Sequence, residues 1–576
     1  MGLEIIAKAD GKKPSIANFV DGSEKTDFAY FDRLIQQRMA VDEVFAVDWV
    51  TFRSVCLKPA KNPTDFESIG EWNEYVKANG ETRNGKRGFL TLQGEIVKSQ
   101  GELAIANWLY LQGVKYEYER AYEYNTADRQ HRQYHPDFYL PDINTYLEHY
   151  ALDKDGRPPP AFGERYAESM RWKAHLHAEK NTELITTTFA DFVAGELFSK
   201  LEALLTARGQ QFAPRPLDNV LTRLNDLQKA DYSSLLRTFI KHAKSNEVDE
   251  ATLQARIATN PQPSRARLFV RVMWKLLAAY EARLIENGEI DFENMIIRAA
   301  RDVTANRYKH PYKLILVDEF QDISQARAKL IKALLAQAPD CKLFAVGDDW
   351  QSIYRFAGSD IDVFTHFDQH FGVTATNYLT QTFRSNQGIS DIAASFVQRN
   401  PKQLKKRVQA QDPAYDGVVV VRHYVSVQEM ASECEASLAE IADNVSSGAR
   451  ASVFLLGRYR HQRPKQLDEW AARFRSLNIT FKTTHASKGL QADFVIVLGL
   501  ETGRYAFPSE ISDDPLLQLV MPESESFPNA EERRLLYVAL TRARHRVYLL
   551  GSSYSRSPFL KELEDGATTG TIVRCE

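Results

Sequence analysis

Two adjacent acids, Asp318 and Glu319, follow the apolar run Leu314-Ile315-Leu316-Val317 in the stretch LILVDEFQD. A short Val/Leu/Ile run of this kind reads as a buried strand, and ligands of α/β sheets gather at the carboxyl ends of such strands. There, one carboxylate can hold Mg²⁺ through water while its neighbour orients or deprotonates a water attacking a triphosphate. A lone Asp-Glu pair is more often a solvated strand-end turn, so its company matters. The next apolar run, LFAV, ends in Gly347-Asp348-Asp349-Trp350-Gln351-Ser352-Ile353-Tyr354-Arg355-Phe356-Ala357-Gly358. Further on stand LTQTFRSN (Leu379 to Asn386), TTHASKGLQADFVIVLGL (Thr483 to Leu500) and EERRLLYVALTRARHRVYLL (Glu531 to Leu550).

In order and spacing these five stretches resemble motifs II to VI of superfamily 1 DNA helicases of the UvrD/Rep group, closest in wording to the helicase IV branch. The resemblance is strong over residues 290–560 and weaker elsewhere. It implies that Asp318 holds Mg²⁺, Glu319 is the catalytic base and Gln351 senses the γ-phosphate of ATP. Arg384 and Arg542 would reach that phosphate from the second lobe, where a guanidinium fork neutralises charge on phosphoryl oxygens and couples lobe closure to nucleotide state. Phe383 would stack on adenine. Gln491 stands where UvrD has a glutamate near the ribose. Tyr354 and Phe356 fall where the family stacks bases of single-stranded DNA, with lobe-core packing as the alternative. His485 and Lys488 would lie near the DNA backbone track and the lobe interface. The family couples ATP hydrolysis to 3′-to-5′ movement on single strands and unwinds duplex DNA in repair or recombination. The stretch between Asn386 and Thr483 is too short for the large inserted subdomain of UvrD and Rep.

A Gly-rich loop ending in GK[ST] should cradle the phosphates. The nearest candidates, Gly11-Lys12-Lys13-Pro14 and Gly85-Lys86-Arg87, lack the Ser or Thr and follow no buried strand. The opening GLEIIAK resembles a stretch lying after that loop in the family. The expectation is therefore an N-terminally truncated first lobe, inactive alone, whose missing segment would come from elsewhere, such as a separate polypeptide.

Residues 90–190 have another texture. A helix pattern (Glu95 to Leu111) precedes the strand-like stretches YEYERAYEY, YHPDFYL and TYLEHYAL, then a helix (Arg165 to Glu179) and TELITTT. This order resembles the PD-(D/E)XK nuclease core. The resemblance implies metal ligands at Asp137, Glu148 and Glu102, hard oxygens suited to Mg²⁺ or Mn²⁺, which would activate water against a phosphodiester. The motif's lysine position is Tyr150, and Lys173 on the following helix is the best substitute. An inert insert is the alternative. His175 and His177 face nearly opposite sides of their helix, which argues against a metal site built on both.

These residues need scaffolds. The expected fold class is α/β: two RecA-like doubly wound parallel-sheet lobes, the first incomplete, with a nuclease-like insertion and a helical subdomain. The boundaries read as 1–89 first-lobe remnant and linker, 90–190 insertion, 191–300 helical subdomain, 301–374 first lobe and 375–576 second lobe. The runs KLILV, KLFAV, VVVV, SVFLL, DFVIVLGL and RVYLL look like parallel strands buried on both faces. The chain has 576 residues, enough for several cores. It is 44% hydrophobic and 26% charged, an ordinary globular mixture. No apolar run reaches the ~18 residues of a membrane span. Four scattered cysteines fit a reducing cytoplasm. The net charge of −3 does not advertise DNA binding, yet Glu531 to Arg546 carries Arg533, Arg534, Arg542, Arg544 and Arg546 against two glutamates. The partners expected are single-stranded and duplex DNA. Two rival readings remain: a metal-dependent nuclease whose motor portion only binds DNA, and a non-enzymatic or inactive product.

Overall fold

A computed structural model describes every residue except 12–14, 17–23, 58, 60, 62–65, 84, 129–130, 228–231, 414–417, 447, 512, 524, 566–571 and 576. Lys12, Lys13 and Pro14, part of one candidate loop, lie outside the described residues. Gly85-Lys86-Arg87, the other, forms the turn and start of an exposed antiparallel hairpin, Glu81–Arg83 with Lys86–Leu90.

The insertion shows the helix, three strands, helix, strand order. Helix α1 (Gln100–Leu111) precedes β1 (Glu117–Tyr118), β2 (Phe138–Leu140) and β3 (Thr145–Tyr150), and α2 (Glu164–Glu179) leads to β4 (Glu183–Thr188). The sheet runs β1-β2-β3-β4, antiparallel until the parallel β3–β4 pair that the α2 crossover requires. Two of the strand readings were too long. Only Glu117 and Tyr118 pair in YEYERAYEY, because Glu119, whose amide still donates to the Asp137 carbonyl (3.1 Å), turns to φ 49 and ends the ladder.

The helical subdomain centres on α3 (Pro263–Asn287), whose Phe269, Met273, Leu276 and Tyr280 recur at helical spacing and are fully buried. Its core draws in Phe31, Phe45, Trp49 and Phe52 from residues 24–56, and Leu516, Leu517, Leu519, Val520 and Met521 from residues 516–521. Within residues 1–89, the helix Gly2–Asp10 instead lays Ile5 against the first lobe. Arg265 anchors the long-range part of this core with two bonds to Asp514 (2.6 and 2.7 Å).

The first lobe contains α4 (Phe292–Thr304), β5 (Leu314–Val317), α5 (Gln325–Gln337) and β6 (Lys342–Ala345). β5 and β6 pair in parallel. Ile315, Val317 and Leu343 pack on α4 and α5, but Leu314, Leu316, Phe344 and Val346 on the opposite face are exposed, Leu316 by 68%. Burial on both faces, expected for these runs, is thus corrected to one face among the described residues.

The second lobe carries a six-stranded, wholly parallel sheet. Its strands are β7 (Val419–Tyr424), β8 (Ala451–Gly457), β9 (Leu477–Thr483), β10 (Ala492–Leu500), β11 (Ala543–Ser552) and β12 (Ile572–Cys575), in the order β9-β8-β10-β11-β7-β12. Alternation decides its two cores. Val419, Val421, Val495, Val497, Val547 and Leu549 face the helices α6 (Gln387–Val397) and α8 (Ala530–Leu540). Val420, Ile496, Leu498, Tyr548 and Leu550 face α7 (Val427–Asp443). A doubly wound sheet needs both faces covered, which explains the near-continuous apolar strands.

Candidate functional site

The carboxyl ends of β5, β6 and β9 meet between the lobes. Asp318 and Glu319 are exposed there, and Glu319 adopts φ 50, ψ 42, an uncommon conformation for a residue with a Cβ. Its amide donates to Asp318 Oδ1 (2.8 Å), and Gln321 Nε2 donates to Glu319 Oε2 (2.6 Å). Gln321 Oε1 in turn accepts from the Asp348 amide (2.9 Å), tying the two acidic turns together. Gln351 Nε2 donates to Asp348 Oδ2 (2.7 Å), which leaves its oxygen to accept from Arg542 Nη2 of the second lobe (3.2 Å).

Arg542 is fully buried and bonds the carbonyls of Val538 and Leu490. Burial, followed by the charge of Arg384, lowers its pKa to about 10. Arg384 therefore lies close by, partly buried, with its Nε unpartnered. Lys488 lies at the lobe interface. It is buried in the lobe junction, 2.6 Å from Asp322 Oδ2 and 3.7 Å from Glu319 Oε2, and it donates to the Gln351 carbonyl (2.8 Å). Burial raises the Asp322 carboxyl despite this partner. Phe383 is 73% exposed and Gln491 is exposed, and among the described residues no hydrogen bond, ion pair or ring contact joins either to this group.

Tyr354, Phe356 and His485 form one aromatic cluster. Phe356 stands edge-on to His485 at 5.3 Å and to Tyr354 at 5.9 Å, and it is half exposed. Tyr354 leans on the second lobe's core, its hydroxyl donating to the His485 carbonyl (3.4 Å), with Lys488 Nζ 4.9 Å from its ring centre. His242 of the helical subdomain donates from Nε2 to the Phe356 carbonyl (3.0 Å). Burial is the main cause that lowers both imidazoles to about 4, so each is neutral near pH 7.

Sequence reasoning missed two residues here. Trp350 is a first-lobe side chain buried in the second lobe's core, donating to the Leu404 carbonyl (3.0 Å) and set edge-on to Tyr537. Lys406 reaches across to Asp348 (2.6 Å) and to the fully buried Asp349, over the Trp350 ring. The buried Asp-Asp-Trp run was a visible sign of a clamp, but nothing in the sequence pointed to its distant lysine.

In the insertion, Glu102, Asp137, Glu148 and Lys173 line one cavity of about 270 Å³. Glu148 is 1% exposed. Its Oε2 meets Lys173 Nζ (2.6 Å) and its Oε1 accepts from Tyr134 (2.7 Å). Asp137 accepts from the His149 amide (2.8 Å). Burial, then the charges of Glu148 and Glu102, hold its carboxyl well above the usual carboxylate range. Glu102 has another duty: its oxygens accept from Ser99 Oγ (2.9 Å), the Lys98 amide (3.1 Å) and Tyr118 (2.6 Å), closing the start of α1. Tyr150 occupies the motif's lysine position under Lys173, whose Nζ lies 5.7 Å from the ring centre. Among the described residues no group of three or more His, Cys, Asp or Glu stands arranged to hold a metal ion. His177 is buried against Thr182 and Tyr134, a packing role.

A two-lobed α/β chain with paired acids on one lobe and a buried arginine reaching over from the other is the architecture of RecA-like motors. The model of the UvrD/REP helicase N-terminal domain matches residues 161–372, and that of the UvrD-like helicase C-terminal domain matches residues 464–554. By these two domains the chain belongs to the UvrD/Rep helicase family. DNA helicase IV of Escherichia coli is 40% identical over 298 residues, which cover 51% of this chain and 42% of that protein. A probable DNA helicase of Mycoplasma pneumoniae is 28% identical, covering 50% of this chain and 55% of that one. A putative ATP-dependent DNA helicase of Bacillus subtilis is 28% identical, covering 37% and 28%. The chain thus spans about half or less of the curated relatives it matches. No described helix is long and apolar enough to cross a membrane.

Proposed function

We propose that the chain carries the ATP-driven motor of a 3′-to-5′ DNA helicase of the helicase IV type, acting on single-stranded DNA and unwinding duplexes in repair or recombination. The observation that supports this most is the bond from Arg542 of the second lobe to Gln351 of the first, beside Asp318 and Glu319. The exposed carboxylate of Asp318 suits Mg²⁺. When bound, Mg²⁺ would neutralise charge on the triphosphate. Glu319, held by Gln321, would orient the attacking water, and Arg542 with Arg384 would counter charge on the transferred phosphoryl group. Tyr354, Phe356 and His485 would hold the single strand by stacking.

The sequence contains no GK[ST] loop, so this chain by itself is expected to bind single strands without turning ATP over. The test is strand displacement, with ATP and Mg²⁺, by the chain joined to a phosphate-loop segment. Duplexes with a 3′ tail should be opened and those with a 5′ tail should not. Failure of the chain to bind any single strand would leave the non-enzymatic alternative.

A second reading is favoured by one observation, the convergence of Asp137, Glu148 and Lys173 on one cavity. It is metal-dependent cleavage of DNA by the insertion. The hard-oxygen donors Asp137 and Glu148 suit Mg²⁺ or Mn²⁺. The ion would supply the electrophile. Lys173 would stabilise charge at the phosphate. The test is a metal titration on labelled DNA without ATP. Cleavage by the intact chain, lost in Asp137→Ala and Glu148→Ala, is the expected result.

A further inference from the structure

The cavity of the insertion is lined by acids and by rings. Trp72, Tyr150, Phe162 and Tyr166 line it together with Asp137 and Glu148. Trp72 comes from outside the nuclease-like core, on the helix Ile69–Asn79, and is braced edge-on by Phe66 at 5.2 Å and by the tilted ring of Tyr75 at 5.8 Å. Phe162 and Tyr166 brace each other at 5.3 Å, and the Tyr166 hydroxyl is fixed by the Ala151 amide (2.8 Å). Only part of the Trp72, Phe162 and Tyr166 surfaces is covered.

We infer that this wall receives the face of an unstacked base, so that the insertion acts on single-stranded DNA and not on intact duplex. The inference rests on the second reading above for its chemistry. Three observations carry it. First, Glu148 lines the cavity and is only 1% exposed. A duplex presents its phosphates on a broad, stiff cylinder that cannot bring them to so recessed a carboxylate, whereas a single strand can bend in. Second, about 270 Å³ is small for a ligand pocket and on the order of one nucleoside. Third, rings stack only on exposed base faces, and a paired base has none to offer. Every base has such a face, so the preference is for strandedness, not sequence. At the mouth stands Lys61, an exposed cation whose Nζ lies 6.0 Å from the Phe66 ring centre.

The reaction consumes one water per cut. A bond forms between the water oxygen and phosphorus, and the bond from phosphorus to the leaving sugar oxygen breaks. One water proton ends on the leaving hydroxyl, and the other passes to solvent through the new phosphate monoester.

The experiment uses the full chain and oligonucleotides carrying 4-thiothymidine, either single-stranded or in a blunt duplex. Photocrosslinks are mapped in EDTA, and cleavage is measured separately with Mg²⁺ or Mn²⁺. Single strands should crosslink at Trp72, Phe162 or Tyr166 and be cut, and the duplex should do neither. Trp72→Ala should lower both signals roughly 10-fold, the scale of one lost base stack, with Trp72→Phe restoring most of it as the folding control. Duplex cut as fast as single strand, or single strands bound with no crosslink in the cavity, would overturn the inference. Crosslinks to the wall with no cleavage under either metal would uphold the single-strand site and sink the nuclease reading instead.

Discussion

Arg542 Nη2 of the second lobe lies 3.2 Å from Gln351 Oε1 of the first, and the arginine is fully buried. Gln351 is itself held by Asp348. The pair thus makes the glutamine a fixed reporter between the lobes. In the chain joined to a phosphate-loop segment, Arg542→Ala should lower ATP turnover by about 10³-fold or more, the scale of other arginine fingers. Single-strand affinity of the chain alone should stay within about twofold. A variant that loses DNA binding and keeps turnover would reverse the assignment.

Without that segment, DNA-stimulated ATP hydrolysis should be absent. Glu319 can be oriented by Gln321 and still align no water on a triphosphate that nothing cradles. Turnover by the purified chain that disappears in Glu319→Gln would refute this.

Lys406 clamps the lobes through Asp348 and Asp349. Asp349 is fully buried, so Lys406→Met leaves a carboxylate uncompensated in the interior. The expected loss is roughly 3–5 kcal/mol. Adding Asp349→Asn should recover part of it. Denaturant melts of the two single variants and the double variant measure the coupling, and strict additivity would show that the contact carries no energy.

Much of this clamp was hidden from the sequence for a simple reason. Its partners lie far apart in the chain, and only local spacing is visible in a string of residues. The second lobe was legible because its sheet is buried on both faces, so residues 418–421 and 494–500 are continuous apolar runs that no surface element would tolerate. The aromatic stretch from Tyr116 to Tyr124 misled because rings favour strands wherever they pack, and here Tyr122 packs among Tyr134, Tyr146 and His177 instead of pairing in the sheet. Lys173 could be proposed from the helix phase of α2, and its Nζ does reach Glu148. The tie of Glu102 to Tyr118 could not be foreseen, although Ser99 with Glu102 has the capping-box spacing.

Acid should loosen the junction of the helical subdomain with the lobes. His242 and His485, both at Phe356, have folded pKa values of about 4, below the 6.5 of a free imidazole. Between those values the unfolded chain binds more protons than the folded one, so stability rises with pH there. It is fully present above about 6.5 and is lost as pH falls towards about 4. Unfolding free energies from urea titrations at pH 7.5 and pH 5 should differ by on the order of 2 kcal/mol for each histidine, and the difference should shrink in His242→Gln. An unchanged difference in that variant would remove His242 from the account.

The exposed face of β5 and β6 should bind apolar probes. Leu314, Leu316, Phe344 and Val346 form a contiguous apolar patch beside an open sheet edge. Leu316→Glu with Phe344→Lys should cut dye binding and slow aggregation while leaving the thermal midpoint nearly unchanged, because these side chains touch little. A large loss of stability would mean that the face is covered in solution.

Asp137 offers the sharpest contrast between stability and chemistry. Its carboxyl is raised well above the ordinary range, first by burial and then by Glu148 and Glu102. The fold therefore disfavours its charge, and a neutral side chain of the same shape should relieve that cost. Asn at this position can still accept from the His149 amide, the one bond the structure gives the side chain. Asp137→Asn is thus expected to raise the melting temperature near pH 7 by a few degrees. A divalent ion offsets the same repulsion when it binds, so Mg²⁺ or Mn²⁺ should stabilise the wild type and have little effect on the variant. Glu148→Gln should behave differently, because Glu148 is paired with Lys173 and its removal leaves the lysine without its partner. Melting curves with and without metal distinguish the cases. An Asp137→Asn variant that melts lower than the wild type, with the wild type indifferent to either metal, would mark the cavity's acids as scaffold and not as ligands.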